Sequence, residues 1–149
     1  KDTELAGYPV SVSWAVDYWL AQGAPPEKLT MGVGTYGRGW KLSNPSGNSG
    51  FNAPVAGASQ PGRATGEAGY ISYYEIMDYV RGGATRAYDQ ERQCPYVVTP
   101  AGEWIGYDDA ESVKAKVSFA RSKGLRGMMV WALDLDDFAG EYSGGVKYP

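Results

Sequence analysis

The sequence predicts an α/β fold with parallel strands, because a helix, a short glycine-containing loop and an apolar strand follow one another twice. The first unit is SVSWAVDYWLAQG with an apolar run at 29–33, and the second is a helix over 109–123 with a strand over 125–131. Between them, over 38–107, Gly, Pro, Ser and Asn become frequent and the apolar periodicity weakens. These patterns predict a small α+β segment inserted between two strands of a parallel sheet.

The first helix is predicted from apolar residues at helical spacing, namely Val12, Val16, Trp19 and Leu20. Ser11 or Ser13 is expected to cap its start, and Gly23 to end it. The strand that follows is almost continuously apolar, which is typical of a strand buried on both faces of a parallel sheet.

The inserted segment contains one clear helix, ISYYEIMDYVRGG. Ser72 and Glu75 have the spacing of a capping box, and Gly82 is expected to end the helix. The stretches GRGWKL and PYVVTPAGEWIGY predict strands, the second folding as a hairpin near 100–102.

The second unit repeats the first. Its helix has Val113, Val117 and Ala120 on one stripe, with Asp108 or Asp109 as the expected cap. Two parallel strands cannot close a barrel, and their edges would remain unpaired. We therefore expect the chain to be part of a larger fold that includes the remainder of a barrel.

Composition excludes several classes of function. The 14 Lys and Arg against 17 Asp and Glu, a net charge of −3, argue against nucleic-acid binding. No apolar run reaches the roughly 18–20 residues of a membrane span, and KDTELAGYPV lacks the apolar core of a signal peptide, so we expect a mature form or a missing beginning. With no His and only Cys94, a serine triad and a thiol–imidazole pair are excluded. We expect neither a metal site nor a cofactor.

Functional residues are expected where the parallel strands end, because sites in parallel α/β barrels lie at the carboxyl ends of strands. The first strand ends at Tyr36, with Arg38 two residues further on, and the second ends at Trp131, with Asp134 following. An indole, a phenol and a guanidinium at one rim could hold a sugar by stacking and hydrogen bonding. The alternative is that Trp131 packs inside the barrel and Arg38 pairs with an acid, and spacing favours neither.

Asp134, Asp136 and Asp137 invite a catalytic interpretation that their spacing does not favour. Glycoside hydrolysis uses an acid and a second group placed opposite it, and three carboxylates in one loop do not give that geometry. We therefore predict capping and turn formation for them.

Several longer stretches resemble one family strongly. GAPPEKLTMGVGTYGRGWKLSNPS, GYISYYEIMDYV and EWIGYDDAESVKAKVSFARSKGLRGMMVWALDLDDFAG are similar, in order, to the carboxyl-terminal part of family 18 glycoside hydrolases. These are the chitinases and the chitinase-like lectins. The resemblance covers essentially all 149 residues.

The resemblance implies the last part of a (β/α)8 TIM barrel. Residues 1–37 would contain helix 6 and strand 7, 38–107 the chitinase insertion domain, and 108–149 helix 7 and strand 8. It further implies an aromatic floor at Trp131 and substrate-binding residues at Tyr36, Arg38 and, less directly, Glu67.

The implied function is part of a secreted chitinase that cleaves β-1,4-linked N-acetylglucosamine polymers with retention, using the substrate's own N-acetyl group. The catalytic motif of the family, D-x-x-D-x-D-x-E, does not occur here. We therefore expect no catalytic residue in this chain and no activity from it alone. The alternative is a chitinase-like lectin that binds chitin oligosaccharides without cleaving them. The expected partners are chitin or chito-oligosaccharides, with neither nucleic acid nor membrane.

Overall fold

The computed structural model describes the backbone at residues 4–5 and 8–9, and the chain at 11–47 and 49–149. Within these ranges it is a mixed α/β fold with three α-helices: α1 (Val12–Ala21), α2 (Tyr73–Arg81) and α3 (Ala110–Ser122). The strands are β1 (Glu4–Leu5), β2 (Tyr8–Pro9), β3 (Thr30–Gly34), β4 (Tyr36–Leu42), β5 (Val55–Ala58), β6 (Tyr70–Ser72), β7 (Thr85–Asp89), β8 (Cys94–Val98), β9 (Glu103–Gly106) and β10 (Gly127–Trp131).

Strands β3 and β10 form a parallel pair. The register places Thr30 opposite Gly127 and Gly34 opposite Trp131, so both strands end at the same edge. The predicted helix–strand units are confirmed, since α1 begins after a Ser11 cap and α3 after an Asp109 cap.

The segment between these strands forms an antiparallel sheet of six strands among the described residues. Its order is β5-β4-β9-β8-β7, and β6 pairs with β4. The predicted strand GRGWKL and the hairpin PYVVTPAGEWIGY are confirmed as β4 and β8–β9. Strands β5, β6 and β7 were not predicted, because they are short and lack apolar alternation.

Helix α2 packs on this sheet and completes its core. The fully buried side chains there are Ile71, Ile76, Val97 and Ile105. The predicted capping box is present: the Glu75 backbone N–H donates to the Ser72 hydroxyl, and the Glu75 carboxylate accepts from the Ser72 backbone N–H at 3.1 Å.

The expectation that the parallel strands are buried on both faces is wrong for the described residues. Met31 and Val33 of β3 are buried, but Met129 and Val130 of β10 are nearly half exposed. Helix α1 has no buried residue, and Trp19 on its apolar stripe is 59% exposed. Two strands have two open edges and an uncovered face, so nothing in this part of the chain shields these side chains.

Ion pairs join the antiparallel sheet to the second unit. Arg86 on β7 pairs with Asp109 and Glu111 at the start of α3, at 2.7 and 2.8 Å. Burial raises the pKa of the neighbouring Tyr107, and the negative charge of Asp109 raises it further, to about 12. The two regions thus meet through a fixed polar junction. In the part of the chain that the structure describes, no helix has the length and apolarity to cross a membrane.

Candidate functional site

Trp131 ends β10 and faces solvent. Its indole is 64% exposed, and within residues 11–47 and 49–149 it contacts no other aromatic ring. The Thr35 backbone N–H donates to the Trp131 carbonyl at 3.0 Å, and the Thr35 hydroxyl donates to the Ala132 carbonyl at 2.5 Å. The Trp131–Ala132 peptide bond is cis. Thr35 therefore fixes the backbone of Trp131 beside the turn that leads to Tyr36.

Tyr36 and Arg38 lie two residues apart on β4, so their side chains share one face of the antiparallel sheet. The Arg38 guanidinium carbon lies 5.6 Å from the centre of the Tyr36 ring and 4.8 Å from that of Tyr70. Among the ion pairs and side-chain hydrogen bonds of the described residues, none involves Arg38. Its N–H groups are therefore presented without a protein acceptor in this part of the chain.

Glu67 is exposed and reaches the same edge through a turn. The Tyr70 backbone N–H donates to the Glu67 carbonyl at 3.2 Å, and Tyr70 pairs with Arg38 across β6 and β4. The structure thus connects Glu67 to Arg38 by way of Tyr70.

Glu75 anchors the loop that leads to Glu67. Its carboxylate is almost fully buried and accepts from the Ala64 backbone N–H at 2.6 Å and the Thr65 hydroxyl at 3.1 Å. Burial alone would raise the pKa of Glu75, but hydrogen bonds from Ala64, Ser72 and Thr65 outweigh it and lower the pKa. Helix α2 therefore sets the position of this loop.

Tyr70 is a central residue that sequence reasoning did not find. Its ring centre lies 4.9 Å from that of Tyr36. Burial raises the pKa of the Tyr70 phenol, the Tyr36, Asp134 and Glu67 side chains raise it further, and Arg38 opposes them. The place of Tyr70 beside Arg38 follows only from the pairing of β6 with β4. A strand of three residues is too short for its sequence pattern to be recognised.

Asp137 has the structural role that the spacing predicts. It is buried, and its carboxylate accepts from the backbone N–H groups of Glu141 at 2.8 Å and Tyr142 at 3.0 Å. Burial would raise its pKa, but these hydrogen bonds and one from Ser143 lower it instead. Asp136 accepts from the Asp137 backbone N–H at 2.8 Å, whereas Asp134 is exposed near Tyr70. The three carboxylates therefore do not form an opposed pair.

Tyr36 and Arg38 line an open hollow of about 260 Å³. Phe51 and Trp104 line it on the same side of the sheet, and Trp104 packs edge-on against Phe51 with ring centres 5.1 Å apart. Neither Trp131 nor Glu67 lines this hollow. Two of the four predicted site residues, Tyr36 and Arg38, therefore line this hollow, and the other two do not.

The arrangement is suited to binding an uncharged polar ring. An exposed indole offers a flat apolar face, and the guanidinium and phenol groups offer hydrogen-bond donors beside it. The nearby carboxylates of Glu67 and Asp134 disfavour an anionic ligand. Within the described ranges, no three His, Cys, Asp or Glu side chains are grouped so as to hold a metal ion.

Comparison with known proteins identifies the family. The family model described as "Glycosyl hydrolases family 18" matches residues 2–136 of the chain. The chain belongs to glycosyl hydrolases family 18. The resemblance noted in the sequence is thereby confirmed.

The proteins that this chain is similar to include a glycoprotein, a pseudo-chitinase and a chitinase. Oviduct-specific glycoprotein of Ovis aries is 41% identical over 145 residues, which are 97% of this chain and 26% of that protein. The solved structure of human YKL-39, described as a pseudo-chitinase with retained chitooligosaccharide binding, matches with a TM-score of 0.90 and 36% identity over 100% of this chain and 40% of its own. The chitinase TsES1 of Trichuris suis matches with a TM-score of 0.92 and 37% identity, over 100% of this chain and 41% of its own. The chain thus spans about a quarter to two-fifths of these relatives.

Proposed function

We propose that this chain forms the floor and one wall of a cleft that binds chitin or chito-oligosaccharides. The observation that carries the proposal is the exposed indole of Trp131, on a backbone held by Thr35, beside a β4 face on which the Arg38 guanidinium has no acceptor in the described residues. An N-acetylglucosamine ring offers an apolar face and several hydroxyl and carbonyl acceptors, which match these two groups.

Each predicted residue has a part in this proposal. Trp131 stacks beneath one sugar ring, and Tyr36 and Arg38 donate hydrogen bonds to its oxygens. Glu67 accepts a hydrogen bond from a sugar hydroxyl further along the wall, and its exposure beyond Tyr70 supports this role. Trp131 and the other three lie on different sheets, so one bound sugar would connect them.

We propose the following division of the chain. Residues 1–37 and 108–149 supply strands 7 and 8 of a (β/α)8 barrel as β3 and β10, and 38–107 is the chitinase insertion domain. The parallel pairing of β3 with β10 supports it, as does the separate antiparallel sheet between them. The exposed apolar residues of α1 and β10 would be covered by the remainder of the barrel.

The leading proposal for the whole protein is a secreted chitinase with a retaining, substrate-assisted mechanism. The acid would come from the D-x-x-D-x-D-x-E segment of the barrel, which is absent from this chain. The likeness to the Trichuris suis chitinase supports this proposal. On this account the 149-residue chain alone releases no chromophore from a chromogenic chitobioside, and turnover by the pure chain would contradict it.

A chitinase-like lectin is the second candidate. The likeness to human YKL-39, a pseudo-chitinase that retains chitooligosaccharide binding, favours it. The two candidates predict the same role for Trp131 and differ at the catalytic Glu. The residue at that position in the full-length protein decides between them: Glu supports the hydrolase, and Leu or Gln supports the lectin.

Calorimetric titration of the full-length protein with chitotetraose tests the proposed binding. Replacing Trp131 by Ala should weaken binding by about 1–3 kcal/mol, because a stacked aromatic face is lost. Tyr148→Ala is the matched control, since Tyr148 is an exposed aromatic in the last residues of the chain. Equal affinities for wild type and Trp131→Ala would contradict the proposal.

A further inference from the structure

Tyr70 and Tyr36 both lie against the Arg38 side chain, and Tyr70 is the nearer of the two. The Arg38 guanidinium lies over the Tyr70 ring at 4.8 Å, closer than over Tyr36 at 5.6 Å. A guanidinium over an aromatic face is attracted electrostatically and stacks well, which restricts its orientation. The two rings therefore confine the end of an otherwise flexible side chain.

Arg38 is held differently from other arginines that lie over rings in the described residues. Arg81, Arg86 and Arg92 each lie over one ring and also donate a hydrogen bond, to the Glu141 carbonyl, to Asp109 and Glu111, and to Asp89. Within residues 11–47 and 49–149, Arg38 has two rings and no such acceptor. The rings thus fix its position while its donors stay available.

The Tyr70 backbone is held by two hydrogen bonds, one at its N–H and one at its carbonyl. Its N–H donates to the Glu67 carbonyl at 3.2 Å, and its carbonyl accepts from the Thr65 hydroxyl at 2.8 Å. The preceding Gly69 has a φ of +75°, and a Cβ there would come within 3.2 Å of the Gly39 carbonyl. The fold therefore places Tyr70 against Arg38 before any sugar binds, so sugar binding does not have to order Tyr70.

We propose that Tyr70 is a positioning residue whose ring orients the Arg38 guanidinium toward an acceptor oxygen of the bound sugar. The inference rests on the proposed function, because the sugar supplies that acceptor. The ring carries the effect in this proposal. The Tyr70 hydroxyl is not required.

The affinity of the full-length protein for chitotetraose tests the proposal through paired substitutions. Tyr70→Phe keeps the ring and should bind within about twofold of wild type, whereas Tyr70→Leu should bind roughly five- to tenfold more weakly. Tyr88→Leu is the matched control, since it removes the ring under Arg86 while Asp109 and Glu111 still hold that side chain. It should bind like wild type. Equal losses for Tyr70→Phe and Tyr70→Leu would overturn the proposal, as would wild-type affinity for Tyr70→Leu.

A second comparison guards against a folding defect. Arg38→Lys keeps the charge but loses the planar stacking, so adding Tyr70→Leu to it should weaken binding no further. A further full five- to tenfold loss in the double variant would show that Tyr70 acts independently of Arg38, and would overturn the proposal.

A measurement without sugar separates this inference from the proposed function. In protein labelled with ¹⁵N-arginine, the Arg38 Nε–H proton should resonate at the same upfield position in wild type and Tyr70→Phe, and should move downfield in Tyr70→Leu because one of its two rings is lost. If wild type does not bind chitotetraose, the proposed function fails while this shift still reports on Tyr70. An unchanged shift in Tyr70→Leu would overturn the positioning role whatever the sugar affinity.

Discussion

The antiparallel sheet and the parallel pair differ in where their apolar side chains lie. The sheet and α2 enclose fully buried residues such as Ile71 and Ile105, whereas β10 leaves Met129 and Val130 nearly half exposed. The sheet thus completes its core within this chain, and the pair does not. Trp131 lies on the incomplete region, while Arg38 and Glu67 lie on the complete one. The candidate site therefore spans a junction between a self-contained region and one that needs further chain.

The largest effect is expected from the core of the sheet. Ile105→Ala removes a fully buried side chain and should lower the free energy of unfolding by about 4 kcal/mol. Urea unfolding of the full-length protein, followed by far-UV circular dichroism, measures it. A loss under 1 kcal/mol would show that the sheet does not have the closed core described above.

The loop that carries Glu67 should become acid-sensitive through Glu75. Its pKa is below the ordinary value of 4.5 in the folded chain, so its stabilisation is present above about pH 4.5 and is lost as the pH falls through the lowered value. Glu75→Gln cannot titrate and should be less stable at pH 6, by roughly 2 kcal/mol from impaired hydrogen bonds.

Urea midpoints between pH 3 and pH 6 test this prediction. The difference between wild type and Glu75→Gln should shrink toward acid. A constant difference across that range would contradict the assigned role of the Glu75 carboxylate.

The effect of Val130→Ala on stability compares the parallel pair of β3 and β10 in this chain alone with the same pair in the full-length protein. In the 149-residue chain, where its side chain is 46% exposed, Val130→Ala should change stability by less than about 0.5 kcal/mol. In the full-length protein the same change should cost about 1 kcal/mol or more, because the barrel would cover this face. Equal small effects in both would argue against β10 as an interior barrel strand.

The smallest effect is expected at Ser59. Its hydroxyl is buried and has no hydrogen-bond partner among the described residues. Ser59→Ala removes an unsatisfied polar group and should be neutral or stabilising by up to roughly 1 kcal/mol. Thermal denaturation against wild type measures this, and a clear destabilisation would reveal a partner for the hydroxyl elsewhere in the protein.

The helices and their caps were predictable from the sequence, whereas the side-chain contacts of the candidate site were not. Apolar spacing and caps predicted α1, α2 and α3, and the capping box at Ser72 and Glu75 is present. Strand β6 has three residues and is defined only by its pairing with β4, so the contact of Tyr70 with Arg38 could not be inferred.

The structural surroundings of the proposed site residues could be predicted from the sequence only in part. Trp131 ends β10, and Tyr36 and Arg38 come just after the end of β3; both strands have a strong apolar pattern, so the common edge at which they end was predictable. The link from Glu67 through Tyr70, and the anchoring of that loop by the buried Glu75, depend on tertiary hydrogen bonds. No spacing in the sequence reports such bonds.

A crystal structure of the full-length protein with chitotetraose tests the central claim most directly. We predict one sugar ring stacked on the Trp131 indole, with an oxygen of the oligosaccharide within hydrogen-bond distance of the Arg38 guanidinium. An oligosaccharide bound elsewhere, with both Trp131 and Arg38 uncontacted, would contradict the account.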